Sequence, residues 1–519
     1  MAVIVNGSIN ANSVLAPDVY VQIMPPSDVV AQGLPTNIVR CVGVASWGPK
    51  NSPTDVGDIN DYVQKFGPVL NNSVFDMGTF VAVASQKFVN TFKCVRVTDG
   101  TDTAATVNVM DTAGTPAVGL ALTALYTGTV GNTLSVSVSA GSNSSTANPT
   151  YKISIGLPNT IPEVFDNIGG TAAALWAAMR DAINNGQSGV RGPSQLVVAT
   201  VGVGTAAPNL TTYTLSGGTN GNSTVTATTL VGSDTGARTG MYALRNTGIG
   251  VTALVGCTDS TTFATQATFG EQEGQYMIAV GPAGETPAQS KTVKQTLGLS
   301  SFAFKLLVGD WEYWYDSTNQ QTRLVTPQAS VCSVLSSLLP SESGLNKQIS
   351  NIIGTQKTYA NQVYSKADIV TMMQAGIDVI SSPSPGGSYF AQQTGKNTSG
   401  NILQSDDSYT RLTFFIAYSL NAVLGGFIGQ LQTPTVRQQA RNTIQTFLQN
   451  LQNEGMIGDV NGGPAYQVIL DESNNPSSQV ALGIMQAQVK VVTFKVIYVF
   501  LVNLQTGEVS LSSASANNQ

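Results

Sequence analysis

Between about residues 101 and 225 the chain changes texture, and this interruption limits its fold more than any single motif does. On both sides of it, apolar strand-like runs alternate with helical periodicity. Upstream, "NIVRCVGVASWGP" predicts a buried strand over Ile38 to Ala45 and a Gly-Pro turn, with a short helix near Asp58 to Phe66. A helix over 74 to 90 and the strand "FKCVRVT" follow. Downstream come "MIAVGP", "FKLLVGDWEYWYD", "VCSVLSSLLP" and "ADIVTMMQAGIDVIS". That alternation predicts an α/β sheet. Between the two parts, Thr, Ser, Gly, Asn and Ala dominate, with short strands such as "LSVSVSA" and "YKISIG" and one helix, "TAAALWAAMRDAINN". The expected fold class is multidomain, combining α/β and α+β. An α/β core is assembled from N-terminal and central-to-C-terminal segments, with an inserted, mostly β domain and extended terminal arms.

A length of 519 residues allows about three or four domains. The expected boundaries are 1–30 for an N-terminal arm, 31–100 and 226–395 for the α/β core, 101–225 for the insertion, 396–502 for a C-terminal α+β domain and 503–519 for a C-terminal arm. In the N-terminal arm, "APDVYVQIMPPSD" predicts a short strand over Val19 to Ile23, bracketed by Pro17 and Pro25-Pro26. Residues 408–454 carry two amphipathic helices. The first keeps Leu412, Phe415, Ile416, Ser419, Leu420, Val423, Leu424, Phe427 and Ile428 on one face, with Gly425, Gly426 and Gly429 marking its end or a close packing point; the second aligns Val436, Ala440, Ile444, Phe447, Leu448 and Leu451. Arg437 and Arg441, four apart, share a different stripe of the second helix.

The chain nearly ends on "VKVVTFKVIYVFLVNL", residues 489–504. Lys490 and Lys495 leave an uncharged run far short of the roughly 20 residues a membrane-spanning helix needs. Val, Ile, Phe and Tyr suit a pleated strand. A long apolar strand with unpaired edges aggregates unless it lies inside its own sheet or pairs with another chain.

Charged residues are only 10% of the chain, against a usual figure of about 25%. Its surface is therefore built from Ser, Thr, Asn, Gln and Gly, which repel weakly and suit subunit contact. The net charge of −6 lacks the basic footprint of a nucleic-acid binder. Cys41, Cys94, Cys257 and Cys332 are far apart and form no CxxC, so they read as reduced, buried residues. "MAVIVNGSINANSV" lacks the basic start and long apolar core of a signal peptide, which predicts folding in a cytosol. There is no histidine. Ser-His-Asp and Cys-His catalysis and His-ligated metals are thereby excluded, leaving carboxylates or lysine as the available catalytic groups.

Three motifs fall short of a site. Gly202-x-Gly204-x-x-Ala207 follows an apolar strand like a dinucleotide fingerprint, but Pro208-Asn209 stands where the phosphate-binding helix must begin. Gly395-Lys396 lacks a P-loop's first glycine, at Phe390, and its Ser or Thr, at Asn397. "GDWEYWYD" clusters Asp310, Glu312 and Asp316 among aromatics, as in a sugar-binding or two-carboxylate site or in a half-buried strand with solvated acids.

Taken in order along the chain, these segments resemble the contractile tail sheath proteins of contractile-tailed bacteriophages and related injection systems. Pro17-x-Val19-Tyr20, the apolar strand, Gly48-Pro49, Pro53 and a helix ending in Phe66-Gly67 are similar to the family's opening. Gly128, Gly131 and Asn132 resemble its Gly-x-x-Gly-Asn signal. "WEYWYDSTNQQTRLVTPQASV" resembles its strand, turn and Pro segment, and "SYTRLTFFIAYSL…LQNEGMIGDVNGGPAYQVILDESNNP" its helix pair, Gly turn, strand and Asn-Asn. Asp18 replaces the arm's usual glycine, and "QASVCSVLSSL" stands where the family has an Ala-Gly helix start. The likeness covers roughly 15–100 and 226–505, and 101–225 more loosely.

The resemblance implies a structural subunit that polymerises as stacked rings or a helix around a tail tube. On contraction it drives the tube through a bacterial envelope. It implies a core with a subtilisin-like but non-catalytic fold, an insertion on the outside and a C-terminal domain nearest the tube. Implied partners are further copies of the chain, the tube protein, and baseplate and tail terminator proteins, in a particle assembled in the bacterial host's cytoplasm and found in the virion. Arm strands would be exchanged between subunits through Val19, Tyr20, Val21 and Ile23 at one end and Val496, Tyr498, Phe500 and Val502 at the other. Arg437 and Arg441 would face the tube. No catalytic residue, cofactor, metal, direct nucleic-acid contact or membrane insertion is expected. The competing expectations are a hydrolase built on the α/β domain and a β-rich surface adhesin or shell protein.

Overall fold

A computed structural model describes residues 3–6, 20–23, 33–70, 74–86, 89–189 and 191–502. The chain divides into two compact units, 1–447 and 448–519.

In the first unit a six-stranded sheet runs in the order Phe304–Leu307, Gln275–Val280, Gly250–Leu254, Val39–Gly43, Phe92–Arg96 and Thr54–Val56. The first five are parallel and the last is antiparallel. Numbered along the chain, the parallel strands lie in the doubly wound order 2-1-3-4-5. Val39–Gly43 and Gln275–Val280 are buried at every position, as parallel strands covered on both faces must be. Successive residues feed opposite cores. Cys41, Phe92 and Ile278 meet Met77 and Val81 of the helix Met77–Ser85 and Val331 and Leu335 of the helix Gln328–Ser337. Val42, Val95 and Met277 meet Phe263 and Ala267 of the helix Phe263–Glu273 on the other side. Three sheet strands come from before residue 100 and three from after 249, so the core is discontinuous in sequence.

Between them, residues 104–214 build a three-stranded and a four-stranded antiparallel sheet with the helix Ala172–Asn185. Trp176 of that helix is fully buried with Leu120, Ile153 and Val197. Gly119 lies under its ring, where a Cβ would overlap the indole. Val197–Val201 is an edge strand, and the Asn184 carboxamide holds both the Ala199 N–H (2.9 Å) and its carbonyl (2.8 Å). A side chain thus occupies part of an edge that would otherwise be open to another strand. The connections are fixed at their base. Arg96, fully buried, donates to the carbonyls of Gly48 (2.9 Å), Thr127 (2.8 Å) and Asn220 (3.3 Å).

"FKLLVGDWEYWYD" is two strands: Phe304–Leu307 in the central sheet, and Glu312–Asp316 between Gln321–Val325 and Ile352–Thr355 in a separate antiparallel sheet. The first C-terminal helix, Asp407–Leu424, ends at Gly425, one of the glycines expected to mark its end, so Phe427 and Ile428 of the apolar stripe lie beyond it. A short 3₁₀ turn, Gly425–Phe427, follows, and Ile428 is exposed. The second helix spans Pro434–Asn453, with Ala440, Ile444, Phe447, Leu448 and Leu451 buried as expected and Val436, in its first turn, only half-buried.

In the second unit, Tyr466–Ile469 and Gln488–Val491 form an antiparallel pair. The Asn-Asn of the sequence clamps its connection: Asn474 Nδ2 donates to the carbonyls of Ile469 (2.8 Å) and Gln486 (2.9 Å). Asn475 Oδ1 accepts the Gln486 N–H at 2.7 Å. Among the described residues no helix is long and apolar enough to cross a membrane.

Candidate assembly interface

Doubly wound sheets bind ligands outside the carboxyl ends of their strands, at the point where strand order reverses. Here that point lies between Val39–Gly43 and Gly250–Leu254. The chain fills much of it with its own side chains. Gln328 donates to the carbonyls of Leu254 (3.1 Å) and Ile278 (2.8 Å) and accepts the Gly256 N–H (2.9 Å). The Asp76 carboxylate caps the helix Met77–Ser85, accepting from Gly78 N (3.1 Å) and Thr79 N (2.9 Å). It thereby sits where an anionic ligand would be held. A cavity of about 380 Å³ remains beside it, lined by Phe80, Trp311, Arg323 and Val325. Arg323 pairs with Asp316 at 3.2 Å.

A second cavity, about 610 Å³, lies at the ends of the next strands, lined by Thr258, Ser260, Phe263, Glu285 and Gln289. Its one carboxyl, Glu285, is raised above its ordinary pKa by burial and accepts the Gly309 N–H at 3.1 Å. Among the described residues no group of three metal-ligating acids or cysteines forms.

The sequence motifs resolve into structural roles. Gly202 and Gly204 donate to the carbonyls of Gly119 (2.9 Å) and Val118 (2.8 Å), continuing the strand pairing rather than opening a phosphate loop. Lys396 pairs with Asp406 at 2.6 Å. The acids of "GDWEYWYD" point to different tasks. Asp310 accepts the Lys357 N–H at 2.9 Å, and Asp316 accepts Thr318 N and Asn319 N in a turn. Glu312 is fully buried, accepts from Ser330 Oγ at 2.5 Å, and is pushed up to about 8, chiefly by desolvation and further by Asp310.

The densest charged cluster was not visible as a motif. Lys305, in an apolar strand, contacts Asp378 (2.6 Å) and Asp407 (3.0 Å), all three shut off from solvent. Tyr276 donates to Asp407 as well, and Asp378 also accepts the N–H groups of Thr394 (2.9 Å) and Gly395 (3.1 Å). Arg411, one turn along the helix from Asp407, donates to the carbonyls of Leu338 (2.6 Å) and Leu339 (2.9 Å). Burial pulls the Lys305 ammonium down, but the two carboxylates outweigh it and its pKa is raised overall. This closed cluster fastens the helix Asp407–Leu424 to the edge of the central sheet.

The expected exchange residues fall at both ends. Val19 lies outside the described residues. Tyr20, Val21 and Ile23 belong to a strand, Tyr20–Ile23, that pairs in parallel with Val3–Asn6 of the same chain. At the other end the strand stops at Val491, because its partner begins at Tyr466, just after Pro464 and Ala465. One further bond, from Val492 N to Ala465 O (2.8 Å), closes the ladder. Residues 492–502 then continue without regular structure. Val496 and Tyr498 are half-buried, whereas Ile497 (76%), Phe500 (82%) and Val502 (72%) are exposed. Arg437 and Arg441 are half-buried, and the Nε of each is shielded from solvent with no acceptor among the described residues. No Asp or Glu stands between Asp407 and Glu454.

No protein-family model matches this sequence, and no curated protein does. Solved structures do match its fold. The sheath tail protein of Listeria innocua shares 14% identity at a TM-score of 0.59, covering 89% of this chain and 96% of that one. That of Desulfitobacterium hafniense shares 16% at 0.54, covering 86% and 93%. The contracted sheath of an extracellular contractile injection system, PVC, shares 10% at 0.53, covering 97% and 99%. Over most of its length the chain has the fold of the tail sheath proteins.

Proposed function

We propose that this chain is the sheath subunit of a contractile tail. It polymerises around a tail tube and, on contraction, drives the tube through a bacterial envelope. The observation that carries this reading, beside the shared fold, is the run 492–502 beyond a completed two-stranded pair. Burying a large apolar side chain contributes roughly 1.5–3 kcal/mol. Covering Ile497, Val499, Phe500, Leu501 and Val502 in a neighbour would therefore contribute on the order of 10 kcal/mol before the costs of association. A strand added to a neighbour's sheet edge supplies main-chain hydrogen bonds as well. The N-terminal strand around Tyr20–Ile23 is the complementary arm, and together they keep subunits joined while rigid bodies reorient. Arg437 and Arg441 face the tube, the block 101–225 lies on the outside, and baseplate and terminator proteins bound the polymer. The particle is assembled in the bacterial cytoplasm and carried in a virion or a related contractile particle.

Negative-stain microscopy of the purified chain tests this reading. Tubes of uniform width are expected. A chain that stays monomeric, or forms only amorphous aggregate, at high concentration and in the presence of its tube protein would remove the proposal.

A further inference from the structure

Ser419 is a hydroxyl on the otherwise apolar face of the helix Asp407–Leu424, and it is fully buried. Its Oγ accepts the N–H of Leu34 at 3.1 Å, across 385 positions of sequence. One turn earlier on the same face is Phe415, buried and tilted against Phe447 at 6.1 Å between centroids. Gly33 sits against the Phe415 ring so closely that a Cβ would overlap it. Two adjacent residues of the N-terminal segment are thus held by two residues one helical turn apart.

The helix is itself fixed at its other end. Asp407 is held by Lys305 and Tyr276, and Arg411 by the carbonyls of Leu338 and Leu339. Halfway along, Phe414 packs on Phe302 at 5.5 Å, and Tyr418 donates to Gln272 O at 3.3 Å. From Gly33 the chain passes directly into the central strand Val39–Gly43. Gly33 and Leu34 are therefore connected to the central sheet twice, along the chain and through the helix.

We infer that Gly33, Phe415 and Ser419 are positioning residues that fix the root of the N-terminal arm. The arm is thereby anchored at one place on the subunit. A pull on it passes through the helix Asp407–Leu424 and the Lys305 cluster into the central sheet. The inference rests on the reading of residues 1–24 as an arm engaging another copy of this chain.

The experiment compares full-length chain, a deletion of residues 1–24, Ser419→Ala and Gly33→Val. Hydrogen exchange of the monomer is read at Leu34, and tube length by microscopy. In the full-length monomer the Leu34 amide is expected to exchange at least tenfold more slowly than an unprotected amide. An unprotected Leu34 in the wild-type chain overturns the inference whatever the variants do. Ser419→Ala should remove that protection while exchange in Val39–Gly43 stays unchanged. Both substitutions should shorten tubes severalfold, and the deletion should abolish them. If the deletion abolishes tubes while both substituted chains form tubes of wild-type length, the arm reading stands and the fixed root is wrong. Normal tubes from the deletion would remove both.

Discussion

Lys305 Nζ lies 2.6 Å from Asp378 Oδ2, and solvent reaches neither side chain. With Asp407 on its other side, the lysine joins a parallel strand, the segment before the loop 382–390 and the helix Asp407–Leu424. Removing one partner of a buried ion pair leaves an uncompensated charge and costs about 3–5 kcal/mol. Lys305→Met should destabilise the monomer by that order in urea denaturation and loosen the helix Asp407–Leu424 first. The Lys305 pKa is raised on folding, so its stabilisation is complete below the lysine's ordinary value near 10.5 and is lost only above it. Across neutral pH Lys305 should therefore contribute no slope.

Glu312 should supply a slope of its own. Its folded pKa is raised from an ordinary 4.5 to about 8, so the folded state holds a proton that the unfolded state has already released. Stability from this group is fully present below about 4.5 and is lost as the pH rises toward 8. The accumulated loss is on the order of a few kcal/mol. Glu312→Gln keeps an acceptor for Ser330 and cannot ionise. Urea midpoints measured from pH 5 to 8.5 should fall less steeply for this variant than for wild type, with the gap widest at the alkaline end. Parallel curves would show that Glu312 is not the group responsible.

Because Ile497, Phe500 and Val502 are exposed, replacing all three with Ser should change the monomer's folding stability by less than about 1 kcal/mol in total. Tube formation should be lost, and solubility of the monomer should rise. Sedimentation and microscopy on the same preparation separate the two effects. Retention of normal tubes would place the intersubunit contact elsewhere.

The arginine pair makes a sharper demand. Arg437→Glu with Arg441→Glu should leave the monomer's melting temperature within a few degrees, since both groups lack an ionic partner among the described residues. Assembly of extended sheath on tubes should fall at least tenfold, while sheath polymerised alone should be spared. Equal loss in both assays would assign the stripe to contacts between subunits.

Much of the core could be read because its signals are local. A strand such as Val39–Gly43, buried at every position, writes its burial into consecutive apolar residues. The short helix expected near Asp58 to Phe66 is Ile59–Phe66, capped by Asp58, whereas the helix expected over 74 to 90 is the shorter Met77–Ser85, which starts at its Asp76 cap. Two things escaped. The run 489–504 has strand composition throughout, yet among its described residues, up to 502, it forms a strand only to Val491, because ladder length depends on a partner that begins at Tyr466. The Lys305 cluster draws on positions 276, 305, 378 and 407, and no local pattern links them. Weak traces were present all the same. A lysine within "FAFKLLV" and a serine at 419 on an apolar face are polar groups that require distant partners.

Arg96 ties Gly48, Thr127 and Asn220 at the point where the block between residues 104 and 214 meets the central sheet. A mount held at three carbonyls resists swivelling, so the two outlying sheets behave as a boom on a mast. Whatever angle the mast turns through, the far end travels a distance that grows with the boom's length. Any rotation of the central sheet is thereby passed on to the block it carries, the loop 141–149 included.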